Sequence, residues 1–310
     1  MKKIKDDEDL RAIARERADI KRRLYERYFN LFASSWKWEG FAREEREAII
    51  RSLWTRGTIG ALRISDELLA YVPYAPQDFN LYGTPVTAVP VPSRTAPYIP
   101  TRALSTSALR INVARGVEEP EIVLGWAQHT LRPIRDSLAD WVDDLVELEM
   151  AIRMNIDLQK IPFVFKCTNQ NEAKLRNLIQ RVTFGSSMVA IGVDEVGSVD
   201  AMTTGAPYLL DKLEEQKERI EKEVLTFLGI DNLKEKPERM QGDEINANND
   251  EININRDAIL DNVKEWVRLV DEAFGTSHSV EAKTTTRSLY EEEPNQEEKN
   301  DDESGRNDID

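Results

Sequence analysis

A long polar stretch set between two apolar-striped helical segments constrains this chain more than any other feature. Pro207 stands at a first helical position, where proline is tolerated, and Leu210, Leu213, Lys217, Ile220, Val224 and Leu228 then fall on one stripe. Gly229 is placed for a left-handed cap, and Ile230 can close a Schellman ending back on Leu225. Asn, Asp, Glu and Gly dominate from there to about Asn255, which reads as the cap of a further helix. That helix carries Ile259, Val263, Trp266, Val267, Val270 and Phe274 on one face and stops at Gly275. A polar excursion this long inside a compact chain is uncommon, and is functional or disordered. Between two long helices it points to a mechanical element in preference to a catalytic pocket.

The rest of the chain divides by its punctuation. Residues 6–34 are helical by pattern, with Leu10, Ile13, Ala14, Ile20, Leu24, Tyr28, Leu31 and Phe32 at mostly helical spacing. Trp36 to Gly40 breaks that helix, and a second runs from Arg43 to Arg56, ending at Gly57. Seven prolines between Pro73 and Pro100 exclude helix interiors, so Leu68–Val72 and Pro85–Val91 read as brief or edge strands in an irregular β region. Arg110–Ala114 and Glu121–Leu124 can extend it. Thr130 is placed to cap a long helix with Pro133 in its first turn and Ile134, Leu138, Trp141, Val142, Leu145, Leu148, Ile152 and Ile156 as its stripe. Pro162 stops it. Residues 161–202 then read as a β-α-β-β insert, marginal for independent stability at about forty residues. After His278 the chain is poor in apolar residues, and the acidic tail Glu291–Asp310 reads as disordered.

Composition excludes several functions. The net charge is −15 despite 42 Lys and Arg, so the chain is no general phosphate-backbone binder. The single Cys167 excludes an intramolecular disulfide, argues against a cysteine metal site and fits a reducing setting. No run approaches the roughly 18 apolar residues that span a bilayer, and Met1–Leu10 has no apolar core of a signal peptide. Asp140, Asp143, Asp144 and Glu147 could hold a metal, but acids line the whole helix without a nearby histidine, so a solvated face is the better reading. With no glycine-rich phosphate loop the chain is no ATPase. It reads as a non-enzyme with no cofactor and no metal.

Two long helices joined at one end by a small α/β insert make a capped stalk. Glu214, Glu215, Glu218, Glu221 and Glu223 charge one helix, and Asp136, Asp140, Asp143, Asp144 and Glu147 the other. Such a pair buries little by itself. Side-by-side packing in a symmetric ring would cover the stripes, as would a four-helix-like bundle completed by the N-terminal helices.

Four blocks carry a resemblance: Ala206-Pro-Tyr-Leu-Leu-Asp-Lys-Leu213, Thr226-Phe-Leu-Gly-Ile230, Glu238-Arg-Met240 and Asp243-Glu244. Their sequence and spacing are similar to the head–tail connector (portal, or upper collar) protein of small podophages with protein-primed linear DNA. Gln159-Lys160, Asn169–Asn171 and Gly185 are similarly placed upstream, and the element order is similar over about residues 130–275. The resemblance implies a mostly α fold with a small α/β insert, in a portal-type architecture assembled as a dodecameric ring around a central channel. Residues 1–131 would form a wing, 132–160 and 207–229 the stem, 161–206 the clip, 230–255 a tunnel loop, 256–275 a wing or stem helix, and 276–310 the tail. The implied setting is the virion, at one capsid vertex, after assembly in the host cytoplasm. The implied partners are further copies of the chain, double-stranded DNA in transit, the packaging ATPase, major capsid and scaffold proteins, and the lower collar or tail, with no membrane.

The resemblance also implies lysines facing DNA. Lys212 matches the stem position and Lys236 one loop position, while Pro237 stands where a second loop lysine is expected and Lys234 lies near enough to substitute. Thr203 stands where a clip–stem lysine can occur. Arg239 is the loop's remaining cation, and Asp231, Asn232, Glu235, Glu238, Gly242, Asp243 and Glu244 complete the loop set. A basic N-terminal arm contacting a packaging RNA is a weaker implication, because Lys2, Lys3, Lys5, Lys21, Arg22, Arg23 and Arg27 are interrupted by Asp6 to Asp9. An acidic coiled-coil scaffold or adaptor without a DNA channel is the alternative reading.

Overall fold

The computed structural model describes residues 2–65, 68–91, 99–106, 120–160, 163–166, 200–203, 207–231 and 242–283. The chain opens with α1 (Lys2–Ser34), β1 (Trp36–Glu39) and α2 (Arg43–Arg56). Six strands follow: β2 (Thr58–Ser65), β3 (Leu68–Val72), β4 (Tyr74–Phe79), β5 (Pro85–Pro90), β6 (Leu104–Ser105) and β7 (Ile122–Trp126). Then come α3 (Ile134–Ser137), α4 (Ala139–Lys160), β8 (Phe163–Lys166) and β9 (Asp200–Thr203). Helices α5 (Leu210–Phe227) and α6 (Gly242–Phe274) and strand β10 (Ser279–Ala282) close it.

The expectation of a mostly α chain with one small α/β insert is overturned. Two three-stranded antiparallel sheets, ordered β3-β2-β7 and β4-β5-β6, lie in the N-terminal half outside the insert, so the fold is mixed. The prolines taken as signs of irregularity are placed where a ladder tolerates them. Pro76 is on β4, at the sheet edge, and Pro85 and Pro90 sit at the ends of β5, whereas β6 pairs only with Thr87 and Ala88 in its middle. The segment read as a brief or edge strand is therefore the central strand of its sheet. Leu62, Val72, Tyr74, Ala88, Leu104 and Ile122 form a small core between the two sheets.

Two further corrections concern the chain ends. The break at Trp36 to Gly40 is strand β1, and the chain after His278 first forms β10, which pairs antiparallel with β1. Trp36 and Trp38 alternate inward on β1, and with Phe32, Trp54 and Phe41 they build an aromatic run in the main core. Helix α6 crosses that core. Trp266 is 2 % exposed, its indole N–H donates to the Val123 carbonyl at 3.2 Å, and its ring lies against Gly125. A Cβ at Gly125 would fall 2.3 Å from Trp266 Cγ, so only glycine admits this strand–helix approach.

The helices differ from expectation at their starts. Thr130 does not cap the long helix: its hydroxyl meets Gln128 Oε1 at 3.4 Å, Pro133 precedes the single turn α3, and α4 begins only after Leu138. Helix α5 begins at Leu210, three residues after the position assigned to Pro207. Helix α6 begins at Gly242, so residues 242–255 are helical and the polar excursion is shorter than the 230–255 of the sequence reading. Asn255 is no cap. It lies inside α6, and its side-chain amide donates to the Thr226 carbonyl at 3.1 Å, tying α6 to the end of α5. The extension has an apolar reason: Ile252 is buried and continues the seam Ile259, Val263, Trp266, Val270 about two turns upstream. In the insert, β8 pairs antiparallel with β9 from Phe163↔Thr203 to Lys166↔Asp200, bringing its two ends together. The helix expected at 172–182 and the strand at 187–193 lie outside the described residues, as do Cys167 and the tail 284–310.

Candidate functional site

The stalk is an antiparallel pair, α4 against α5. Val142, Leu145 and Val146 face Ile220, Val224 and Leu228 in a buried seam. Polar contacts grade its length. At one end the Trp141 indole N–H donates to Glu223 Oε2 at 3.1 Å, and midway Lys217 meets Glu149. At the insert end the buried Asn155 side chain reaches the incoming chain twice, donating to the Pro207 carbonyl at 3.1 Å and accepting from the Leu209 N–H at 3.4 Å. Asn155 supplies the backbone groups before α5 with partners that no helix turn yet provides.

Helix α1 lies along this pair through ion pairs absent from the sequence reading. Lys21 meets Asp143 at 2.5 Å, Arg17 meets Glu147, Arg153 meets Glu16, and Arg27 reaches Glu221 at 2.8 Å. The Asp143 carboxylate raises the Lys21 ammonium above its ordinary pKa, against a smaller opposing effect of burial. Burial raises the Tyr28 phenol strongly, with the Glu221 charge adding to it. Lys21 and Arg27, assigned to an RNA-contacting arm, are thus engaged within the chain, and Arg22 pairs with Asp19. The signal was present: Arg17 and Lys21 are four apart, as are Asp143 and Glu147, which is the spacing two antiparallel helices need to pair along one face.

The acidic faces are accordingly divided. Asp143, Glu147, Glu221 and Glu223 bond within the subunit, and Asp136 is bridged by Arg135. Asp140, Asp144, Glu214 and Glu215 are exposed on the stalk, as is Lys212 on the first turn of α5. Gly229 ends α5 at φ +68°. Its N–H donates to the Thr226 carbonyl at 3.0 Å and the Ile230 N–H to Leu225 at 2.9 Å, the two bonds of a Schellman ending. A Cβ there would also meet the Arg256 backbone at 2.5 Å. Asp231 is exposed just beyond. Asn232, Lys234, Glu235, Lys236, Pro237, Glu238 and Arg239 lie outside the described residues, and Gly242, Asp243 and Glu244 form the first turn of α6.

His278, isolated in sequence, is not isolated in space. Its Nδ1 lies 2.6 Å from Asp271, and its ring stacks on Phe41 with centroids 4.1 Å apart. Burial acts on Asp271 against ionisation, but the His278 N–H and the Thr276 hydroxyl outweigh it and hold the carboxyl below its usual range. Asp271 thereby ties the turn after α6 to β10. Among the described residues no group of three or more His, Cys, Asp or Glu is placed to hold a metal ion. No described helix is long and apolar enough to cross a membrane.

A family model described as Phage Connector (GP10) matches residues 6–287. Among solved structures, the chain is similar to one from the portal and tail of native bacteriophage P68, at 14% identity and a TM-score of 0.47, covering 92% of this chain and 93% of that one. It is similar also to one from the virion of a native gene transfer agent particle, at 11% identity and a TM-score of 0.42, covering 84% and 80%. A chain from the neck of an empty particle of that kind has 13% identity and a TM-score of 0.41, covering 81% and 71%.

Proposed function

This chain belongs to the Phage Connector (GP10) family, and from that premise we propose that it assembles as a ring of identical subunits, a dodecamer, around a channel for double-stranded DNA. Membership places the protein in the phage particle at the junction of head and tail, as a structural component. Helices α4 and α5 form the stem. Their exposed Asp140, Asp144, Glu214 and Glu215 give the lumen a repulsive wall along which a duplex slides without adhering, and Lys212 adds a weak, transient phosphate contact. Residues 230–241 with the first turns of α6 form the loop that checks DNA against backsliding. The insert 161–206 docks the packaging ATPase and later the lower collar or tail, and the N-terminal wing faces capsid and scaffold proteins.

The observation that supports this reading best is the family match along 6–287, which spans sheets, stalk and α6 together. A stalk whose seam is apolar and whose remaining acidic side chains point to solvent fits a channel wall. Negative-stain images and native mass of the purified chain test it: a ring with a central hole is expected, and a stable monomer or dimer overturns it. Deleting residues 232–241 should leave ring assembly intact and let packaged DNA leak. Heads that retain their genomes like wild type would remove the loop's valve role.

A further inference from the structure

We propose that the acidic tail, Glu291–Asp310, docks on a basic patch of its own subunit, formed by Arg51, Arg56 and Arg132 where the end of α2 meets the turn after β7. The proposal does not depend on ring assembly.

Two acid-free tracts meet there. Residues 48–65 and 122–135 contain no Asp or Glu, in a chain with 57 of them. Pairing of β2 with β7 brings the tracts together, from Thr58↔Trp126 to Leu62↔Ile122. The contact continues past the strand ends. The Ala127 N–H donates to the Gly57 carbonyl at 3.1 Å, and a Cβ at Gly57 would fall 2.3 Å from the Arg132 carbonyl oxygen. Arg132 therefore adjoins Arg56, the last residue of α2, and Arg51 stands about one and a half turns back along the same helix. All three are exposed, and among the described residues none is hydrogen-bonded or ion-paired through its side chain. The exposed His129 lies in the same turn. Nearby acids are engaged, Glu47 by Arg43 and Asp136 by Arg135. On α6, whose Asn262 reaches the Ala127 carbonyl, the exposed Asp261 and Lys264 offset each other.

Charge and distance select the occupant. Unpaired guanidinium groups gathered on a chain of net charge −15 suit a carboxylate-rich partner, and the tail has ten acids against Lys299 and Arg306. The tail also starts close by. The Lys283 N–H donates to the Ser35 carbonyl at 2.8 Å, and the Phe32 ring lies 5.5 Å from Trp36 and 5.7 Å from Trp54. Two ring contacts thus separate the point where the chain leaves β10 from the last turn of α2. Residues 284–290 extend to at most about 25 Å, enough to set the first tail acids beside Arg51 and Arg56. Tethering at that length gives an effective concentration in the millimolar range, so contacts that are individually weak hold the tail in place. Any other polyanion reaching the patch has to displace it.

Arginine footprinting of the full chain with phenylglyoxal, read by mass spectrometry, tests this. At low salt, Arg51, Arg56 and Arg132 should react at least about threefold more slowly in wild type than in a variant whose tail acids are changed to Asn or Gln. Arg15 and Arg219, which stand beside acids on α1 and α5, should react alike in both. About 1 M salt should remove the difference. Equal rates at low salt would overturn the docking. Protection that is lost on dilution to monomers would overturn docking within the subunit in favour of a neighbour's tail. Protection that appears only when a DNA duplex is added would overturn it in favour of a phosphate backbone. The independent check is Arg51→Glu combined with Arg56→Glu and Arg132→Glu. These side chains are exposed, so the circular dichroism spectrum should be unchanged, while tryptic cleavage after Lys299 should be at least about threefold faster at low salt. Unchanged cleavage would overturn the patch.

Discussion

At Trp266 the indole is enclosed, packed edge-on against Tyr71 and bonded to the β7 backbone. At Asp143 the carboxylate meets Lys21 with both side chains near half exposed, at 57% and 40%. The first contact joins α6 to the sheet region through close-packed surface that nothing else can fill. The second joins α1 to the stalk through charges that water and salt can replace. The difference teaches where this molecule can move. Its aromatic core has one arrangement, while the N-terminal half of α1 and the outer faces of α4 and α5 are free to answer to neighbours.

The largest effect should therefore come from Trp266→Ala. The substitution empties a cavity under Gly125 and removes the indole N–H that donates to the Val123 carbonyl. A loss of about 3–5 kcal/mol is expected, read as a lower midpoint in denaturant. A loss below about 1 kcal/mol would mean that the aromatic core does not anchor α6 and would dissolve the contrast.

An intermediate case sharpens it. Glu121 sits in a built polar contact, accepting from Arg102 and from the N–H and hydroxyl of Ser105. The Arg102 guanidinium, then the Ser105 N–H, pull its pKa from 4.5 down to about 2. A depressed carboxyl contributes stability that is fully present above about 4.5 and is lost as pH falls toward about 2. Because Glu121 is 37% exposed and Arg102 65% exposed, solvent reduces that contribution to about 1 kcal/mol. Glu121→Gln should remove it, so unfolding at about pH 6 and about pH 3 should differ less in the variant than in wild type. An unchanged acid limb would show the contact to be no better than a bare surface pair.

The same contrast separates what was legible in the sequence from what was not. Apolar stripes name their partners by period alone, so α1, α2, the body of α4 and the seam of α5 were readable from Leu, Ile and Val spacing. Gly229 was readable because few residues suit a left-handed cap. The sheets were harder. Pro76, Pro85 and Pro90 suggested irregularity, and only pairing reveals that β5 needs free N–H groups on its second side at its middle and not at its ends. The start of α6 was hidden by asparagines, whose turn preference tertiary packing of Ile252 overrides. Of the candidate site, Lys212 could be placed on a helix face, but the division of the acidic faces could not. Whether an Asp pairs within the subunit or faces outward depends on which helix lies beside it. No period in one segment records that, although the matched four-residue steps of Arg17–Lys21 and Asp143–Glu147 came close.

The smallest effect should come from those matched steps. Residues 20–32 of α1 are held by Ile20, Leu24, Tyr28 and Phe32 in the core, whereas residues 10–19 are exposed or half-exposed and reach α4 through Arg17–Glu147 and Glu16–Arg153. Exposed pairs like these contribute about 0.2–0.5 kcal/mol each, and less in salt. Asp143→Asn with Glu147→Gln should thus shift global unfolding by about 1 kcal/mol or less. The effect should appear locally, as faster amide hydrogen exchange over residues 10–19 with exchange in β2 and β7 unchanged. About 1 M salt should bring wild type to the same local rates, because it screens the pairs that the substitutions delete. If the double substitution instead destabilised the whole chain as far as Trp266→Ala, the stalk charges would be part of the core's cooperative unit. The two regions would then have to be treated as one.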